Sequence, residues 1–248
     1  MQSGGADLAK RNGLLASVPT ADLAPLAPHL EDVMLTAGKV LLEPGEPISN
    51  VYFPCDGIVS LLSVMQEGDA IETATVGREG AIGVLSGLGL RRSYSRALVQ
   101  VPGRACRIPA SQFRRAAEIS QAIRDLIVHY SETLLIQVQQ TAACNALHEL
   151  EPRLARWLLQ ALDRTDEHEL ALTHDLIAQM LGARRSTVTV IANKLRDAGL
   201  IRYQRGCIVL LDRAGLEHAA CECYRALRRR TEGVARPAEP AHAPAEMA

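Results

Sequence analysis

Glycine divides this chain into two unlike parts. Of its 18 glycines, all but five lie at or before Gly103, and none falls between Gly103 and Gly182. Glycine serves turns that need positive φ and weakens helix interiors by roughly 1 kcal/mol relative to alanine. A turn-rich region of short elements therefore precedes a long region free to be helical. No uniform architecture fits that distribution, and the fold class expected is α+β.

The periodicity agrees. Short apolar clusters over residues 8–30, with Pro19, Pro25 and Pro28, read as short entry helices. From Val33 to Ile108, strand-length runs recur at about ten-residue spacing: Val40–Leu42, Val51–Phe53, Ile58–Leu62, Ile71–Val76 and Leu98–Val101. Turn signals such as Pro44-Gly45, Asp56-Gly57 and Pro102-Gly103 separate them, the pattern of an all-β sandwich or barrel. A glycine-rich loop, Gly77 to Gly83, interrupts the runs.

After Ser111 the period changes to that of a helix. Ile123, Ile127, Tyr130, Leu134, Gln137, Thr141 and Cys144 recur in steps of four and three, the a/d seam of a coiled coil. Such a stripe can be buried against the β domain or paired with its copy, and pairing is the expectation. A hinge is expected near 146–151, before a helix started by Pro152 with Trp157 inward.

The C-terminal third carries the most specific local pattern. Thr173 caps a short helix with Leu176, Ile177 and Met180 inward, Gly182 turns the chain, and a second helix follows with Val188, Ile191 and Leu195 inward. That helix presents Arg184, Arg185, Ser186, Thr187, Thr189, Asn193 and Lys194 on its outer face. Two short strands around Arg205-Gly206 then form a wing. Residues 212–232 are expected to be helical, and residues 233–248, rich in Pro and Ala, to be a disordered tail.

A net charge of −1 over 248 residues conceals a division. Residues 1–151 hold 12 basic and 16 acidic side chains, net −4, whereas residues 152–232 hold 14 and 10, net +4. A basic C-terminal third points to a polyanionic partner. No run approaches a membrane span and no signal peptide is visible, so a cytoplasmic protein is expected. Cys55, Cys106, Cys144, Cys207, Cys221 and Cys223 match no CxxC or zinc-ribbon spacing, so six free thiols and no metal ligands are expected. Nucleophile elbow, Walker loop and HExxH are all absent, and no enzyme is expected.

In this order the parts resemble the Crp–Fnr superfamily of bacterial transcription regulators. The carriers are Gly45 to Leu62, Val76 to Gly83, and Leu181-Gly-Ala-Arg-Arg-Ser-Thr-Val188. The resemblance implies a cupin-like β-roll sensor over 1–118, a dimerisation helix over 119–146, and a winged helix-turn-helix over 147–232. It implies a homodimer on double-stranded DNA with a near-palindromic operator, a partnership with RNA polymerase, and an effector at the interface of β-roll and long helix. The alternative is a constitutive DNA-binding regulator whose β-roll is a ligand-free dimerisation scaffold.

By the same resemblance, effector positions fall at Thr73, Ala74, Gly83, Val84, Arg96, Ala97, Gln137, Val138, Gln139 and Thr141. Members that bind cyclic AMP place a glutamate where this chain has Val84, and their phosphate-binding arginine is displaced here to Arg96. A cyclic nucleotide or, through Arg78, Arg91, Arg92 and Arg96, a cyclic dinucleotide is the ligand class considered. Iron–sulfur members carry an N-terminal cysteine cluster, but the first cysteine here is Cys55, so no such cluster is expected. His29 and His129 form no convincing haem pair. On DNA, Arg185 matches a guanine-reading arginine, and Val190 is placed to meet a thymine methyl. Thr173, His174, Lys194 and Arg205 are phosphate candidates.

Overall fold

The computed structural model describes residues 9–165, 169–204 and 206–234. Two short helices, α1 (Gly13–Ala16) and α2 (Thr20–Leu23), lead into the β domain. Seven strands follow: β1 (Glu31–Leu35), β2 (Val40–Leu42), β3 (Asn50–Pro54), β4 (Ile58–Val64), β5 (Ala70–Val76), β6 (Arg96–Val101) and β7 (Gly103–Pro109). They form a three-stranded sheet of order β1-β7-β3 and a four-stranded sheet of order β2-β6-β4-β5, with every pairing antiparallel.

One core lies between the sheets. Val51, Phe53, Ala105 and Ile108 come from the first sheet, and Val59, Val76, Ala97 and Val99 from the second. The next helix, α3 (Ala110–Ile119), closes this core by setting Phe113 edge-on to Phe53, with ring centroids 5.8 Å apart. Alternation along β4 then does something further. Val59 faces this core, while Ile58 and Leu62 point the other way into a second core shared with the C-terminal module.

The long helix α4 spans Gln121–Leu147, 27 residues, or about 40 Å at 1.5 Å per residue. Ser120 caps it by accepting from the Ile123 N–H and donates its hydroxyl to Asp22. The expected pairing seam is corrected here. Ile123, Ile127, Tyr130, Gln137, Thr141 and Cys144 are buried within the chain itself, and Leu134 packs against the β-roll core. The fit is close enough that a Cβ on Gly87 would lie 2.6 Å from Ile127 Cδ1, and one on Gly80 would overlap the Tyr130 hydroxyl. The more apolar stripe has gone to the larger apolar surface, which belongs to the chain's own β domain. On the opposite face Val128, Leu135 and Val138 are 54%, 56% and 36% exposed.

Only His148 and Glu149 separate α4 from α5 (Leu150–Leu162). That helix begins two residues before Pro152, which sits in the first turn where its missing N–H is not needed. Trp157 is buried and donates its indole N–H to Glu72 of β5 (2.8 Å), tying α5 to the β-roll.

Strand β8 (Glu169–Ala171), helices α6 (His174–Leu181) and α7 (Arg185–Asp197), and strands β9 (Ile201–Gln204) and β10 (Cys207–Leu210) build a winged helix-turn-helix. Its small sheet has the order β8-β10-β9. Thr173 caps α6 as expected, accepting from the Leu176 N–H, and Gly182 ends the helix at φ 61°. A Cβ there would lie 2.7 Å from Ile71 Cδ1, so the turn of the motif rests on β5. The terminal segment is two helices rather than one, α8 (Arg213–Ala219) and α9 (Cys223–Val234). Residues 233 and 234 belong to α9, and the rest of the expected tail lies outside the described residues.

Candidate nucleic-acid interface and ligand cavities

Helix α7 buries Val188, Ile191, Ala192 and Leu195 and turns its other face outward. Arg184, Arg185, Ser186, Thr187, Val190 and Lys194 are exposed, with Thr189 and Asn193 half-buried beside them. The arginines stand at the N-terminal end of the helix, where the dipole is positive and attracts anions. Two contacts hold the charged side chains in place. Arg185 lies 3.3 Å from Asp175 of α6, and Lys194 lies 3.1 Å from Glu151. Both pairs are exposed, so little free energy is lost when a phosphate or base edge replaces the carboxylate.

Thr173 is exposed at the start of α6, but His174 is turned away from its expected phosphate role. Its ring stacks on Tyr203 with centroids 4.2 Å apart, and Nδ1 lies 2.9 Å from the Thr189 hydroxyl. Its Nε2 is buried with no hydrogen-bond partner among the described residues. Burial, and then the Arg185 guanidinium, hold its pKa below the usual histidine value, which disfavours the cation a phosphate would want. His174 thus braces α7 against the wing. Arg205 lies outside the described residues.

The expected effector residues do not converge. Gly83 and Val84 line a cavity of about 110 Å³ whose walls include Leu42, Ile48, Leu61, Ile82 and Leu134. Ligand sites usually enclose about 300–1,000 Å³. Arg96 donates through Nε to both carboxylate oxygens of Glu43, at 3.0 and 2.9 Å. Thr73 donates its hydroxyl to the Leu61 carbonyl, and Ala74 and Ala97 are buried among the strands. A cyclic nucleotide does not fit this set: the space is too small, the walls are apolar, and the arginine is engaged by a carboxylate.

Val138 and Gln139 also need correction as ligand contacts. Gln137, Thr141 and Cys144 face inward, so the helical period turns Val138 and Gln139 to the exposed face. Gln137 instead donates to the Thr75 carbonyl (3.2 Å) at the wall of a second cavity, of about 450 Å³. This cavity lies where β-roll, α4 and the C-terminal module meet. Its walls carry Arg78, Arg164, Arg213 and Arg228 against Glu79 and Asp163. Arg164 is paired with Glu79 at 2.7 Å, while the Tyr224 hydroxyl donates to Asp163 and accepts from Arg213, each at 2.9 Å. Sequence reasoning places Arg78 in an arginine-rich flank, but Arg92 is tied to the Gly45 carbonyl and Arg96 to Glu43. The remaining basic lining, Arg164 in the turn after α5, Arg213 of α8 and Arg228 of α9, comes from segments whose meeting no spacing reveals.

Sequence spacing also misses four residues that the fold assembles. Cys144, His148, Cys221 and Cys223 have ligand-type atoms all within 4.8 Å of one another. The local signals are a cysteine and a histidine one helical turn apart and a Cys-x-Cys. They come from segments more than 70 residues apart.

A model described as the Crp-like helix-turn-helix domain matches residues 152–219, and one described as the cyclic nucleotide-binding domain matches residues 33–120. The transcriptional regulator SdrP of Thermus thermophilus is 31% identical over 199 residues, covering 77% of this chain and 94% of that protein. The global nitrogen regulator of Synechococcus elongatus is 25% identical over 218 residues, covering 84% and 97%. A crystal structure of a CRP/FNR-family transcriptional regulator from Thermus thermophilus aligns with a TM-score of 0.62 and 28% identity, covering 77% of this chain and 98% of that one. Among the described residues no helix is long and apolar enough to cross a membrane.

Proposed function

This chain belongs to the Crp–Fnr superfamily of transcription regulators, and from that premise we propose that it acts as a homodimer on a near-palindromic operator, with RNA polymerase as its partner there and no enzymatic activity of its own. A regulator acting on chromosomal DNA would work in the cytoplasm, and that location is part of the proposal. The observation that carries the reading is the outer face of α7, where Arg184, Arg185, Ser186, Thr187 and Val190 stand exposed on a helix anchored from behind. Arginine reads guanine O6 and N7 bidentately in the major groove, and Val190 offers apolar contact to a thymine methyl. Arg185→Ala should cost about 1–3 kcal/mol of operator affinity and relax one base position. Binding measured across an operator library mutated base by base checks this, and an unchanged profile removes Arg185 from the readers.

Dimerisation falls to the exposed stripe of α4. Val128, Ser131, Leu135, Val138 and Ala142 recur in steps of three and four, the spacing of a coiled-coil seam. Two-fold pairing there sets two recognition helices about one turn of DNA apart. Leu135→Glu should leave the monomer fold within about 0.5 kcal/mol of the parent while sedimentation shows dissociation. A variant that stays dimeric places the interface elsewhere.

Effector control is assigned to the cavity of about 450 Å³, whose arginines suit an anionic small molecule. A ligand there touches β5, α4 and α9 together and so favours one arrangement of the DNA-binding module. The second reading, a ligand-free scaffold, is supported by the small, mostly apolar cavity of the β-roll. Operator affinity of the purified protein, with and without a metabolite extract, separates the two. A change on adding extract supports the effector, and full affinity without it supports the scaffold.

A further inference from the structure

Three of the six cysteines form a buried group of their own, separate from both apolar cores. Cys144 sits near the C-terminal end of α4, His148 in the break before α5, and Cys221 and Cys223 where α8 passes into α9. Cys144 Sγ lies 3.5 Å from Cys221 Sγ, and Cys223 Sγ lies 3.4 Å from His148 Nδ1. All four atoms fall within 4.8 Å of one another. Thiols buried merely as small apolar residues have no reason to converge on an imidazole nitrogen.

We propose that Cys144, His148, Cys221 and Cys223 form a tetrahedral zinc site that clamps the DNA-binding module to the end of the long helix. Zinc takes thiolate at about 2.3 Å and imidazole at about 2.0–2.1 Å, which sets two tetrahedral sulfurs about 3.8 Å apart and a sulfur and a nitrogen about 3.6 Å apart. The Cys144–Cys221 and Cys223–His148 contacts, 3.5 and 3.4 Å, are close to those spacings. Ligands drawn around one point suit a single ion rather than a cluster of several irons. Three sulfurs and one nitrogen with no open position is a structural zinc set.

The surroundings supply the remaining chemistry. Gln140 donates its amide to Cys223 Sγ at 3.0 Å, and Arg230 in turn donates to the Gln140 carbonyl oxygen at 3.0 Å. Such outer contacts orient ligands and are part of metal sites generally. Zinc with three thiolates carries a net charge of −1. Arg156 is buried and close enough to act electrostatically on Cys144 and Cys221, and so balances that charge. On binding, the three thiols release their protons to solvent.

The test uses the full chain, purified under reductant, stripped with a chelator and titrated first with cobalt(II), then with zinc(II). The expected result is a saturable thiolate-to-cobalt charge-transfer band with the visible bands of a tetrahedral ion, reached at one cobalt per chain and erased by zinc. His148→Ala and Cys223→Ser should each weaken uptake by at least about tenfold, while Cys207→Ser, outside the cluster, should leave it unchanged. Zinc should also raise the melting temperature of the stripped protein. The parent titration does not depend on whether the variants fold. An octahedral cobalt spectrum, no uptake, several irons per chain in the isolated protein, or a Cys144–Cys221 disulfide persisting under reductant would each overturn the proposal. The readout is independent of DNA, so it stands or falls apart from the operator reading.

Discussion

The two halves of α4 meet the rest of the molecule by different chemistry. The N-terminal half inserts Ile123, Ile127 and Tyr130 into the β-roll core, where fit is a matter of volume. The C-terminal half presents Gln137, Gln140 and Cys144 to a carbonyl, an arginine-lined cavity and a thiol group. Packing of the first kind responds to lost methyl groups and hardly to solution conditions. Contacts of the second kind respond to protons, ligands and metal. One helix is therefore a fixed anchor at one end and chemically addressable at the other, next to the module that reads DNA.

The largest effect should come from the anchored half. Ile127→Ala removes a fully buried side chain and should cost about 2–5 kcal/mol, measured by denaturant unfolding. A loss below about 1 kcal/mol would mean that the seam is not held by volume. In the other half Gln137→Leu leaves the Thr75 carbonyl without its donor and should cost the smaller amount of about 1–3 kcal/mol in the same measurement. A loss matching that of Ile127→Ala would erase the contrast between the halves.

A third expected effect is one of pH, at the joint between β5 and α5. Burial pushes the Glu72 carboxyl above its usual range, against the opposing hydrogen bonds from Ser60, Trp157 and Thr75. A raised folded-state pKa makes its contribution complete below the unfolded value of about 4.5. That contribution is lost as pH rises through the folded value, because the unfolded chain ionises first. Glu72→Gln should therefore gain stability relative to the parent as pH rises from about 4.5, followed by unfolding at a series of pH values. Parallel curves would show that Glu72 titrates alike in both states.

Legibility followed how local each signal was. The helix-turn-helix could be read because Thr173, Gly182 and the apolar triplets act within one or two turns of chain. Strand β7 was harder to see. Its buried residues are largely small, Ala105 and Cys106 beside Ile108, with Arg104 before them and Arg107 among them, yet it is the central strand of its sheet. Two stripes on α4 share the helical period, and periodicity cannot say which one meets the β-roll. The length and apolar content of the richer stripe favour pairing it with a second copy, whereas the structure gives it to the chain's own core. The cysteine group and the larger cavity were out of reach because their residues meet only after the C-terminal helices fold back onto α4.

Trp157 has a practical consequence. It is the only tryptophan in the chain, it is buried, and its indole bonds to Glu72 across the junction of the two modules. Intrinsic fluorescence excited at tryptophan is thus an optical gauge of that junction alone, built into the unmodified protein. An emission maximum that moves to the red when a ligand, an operator or a metal is added would report water reaching the joint, with no label attached.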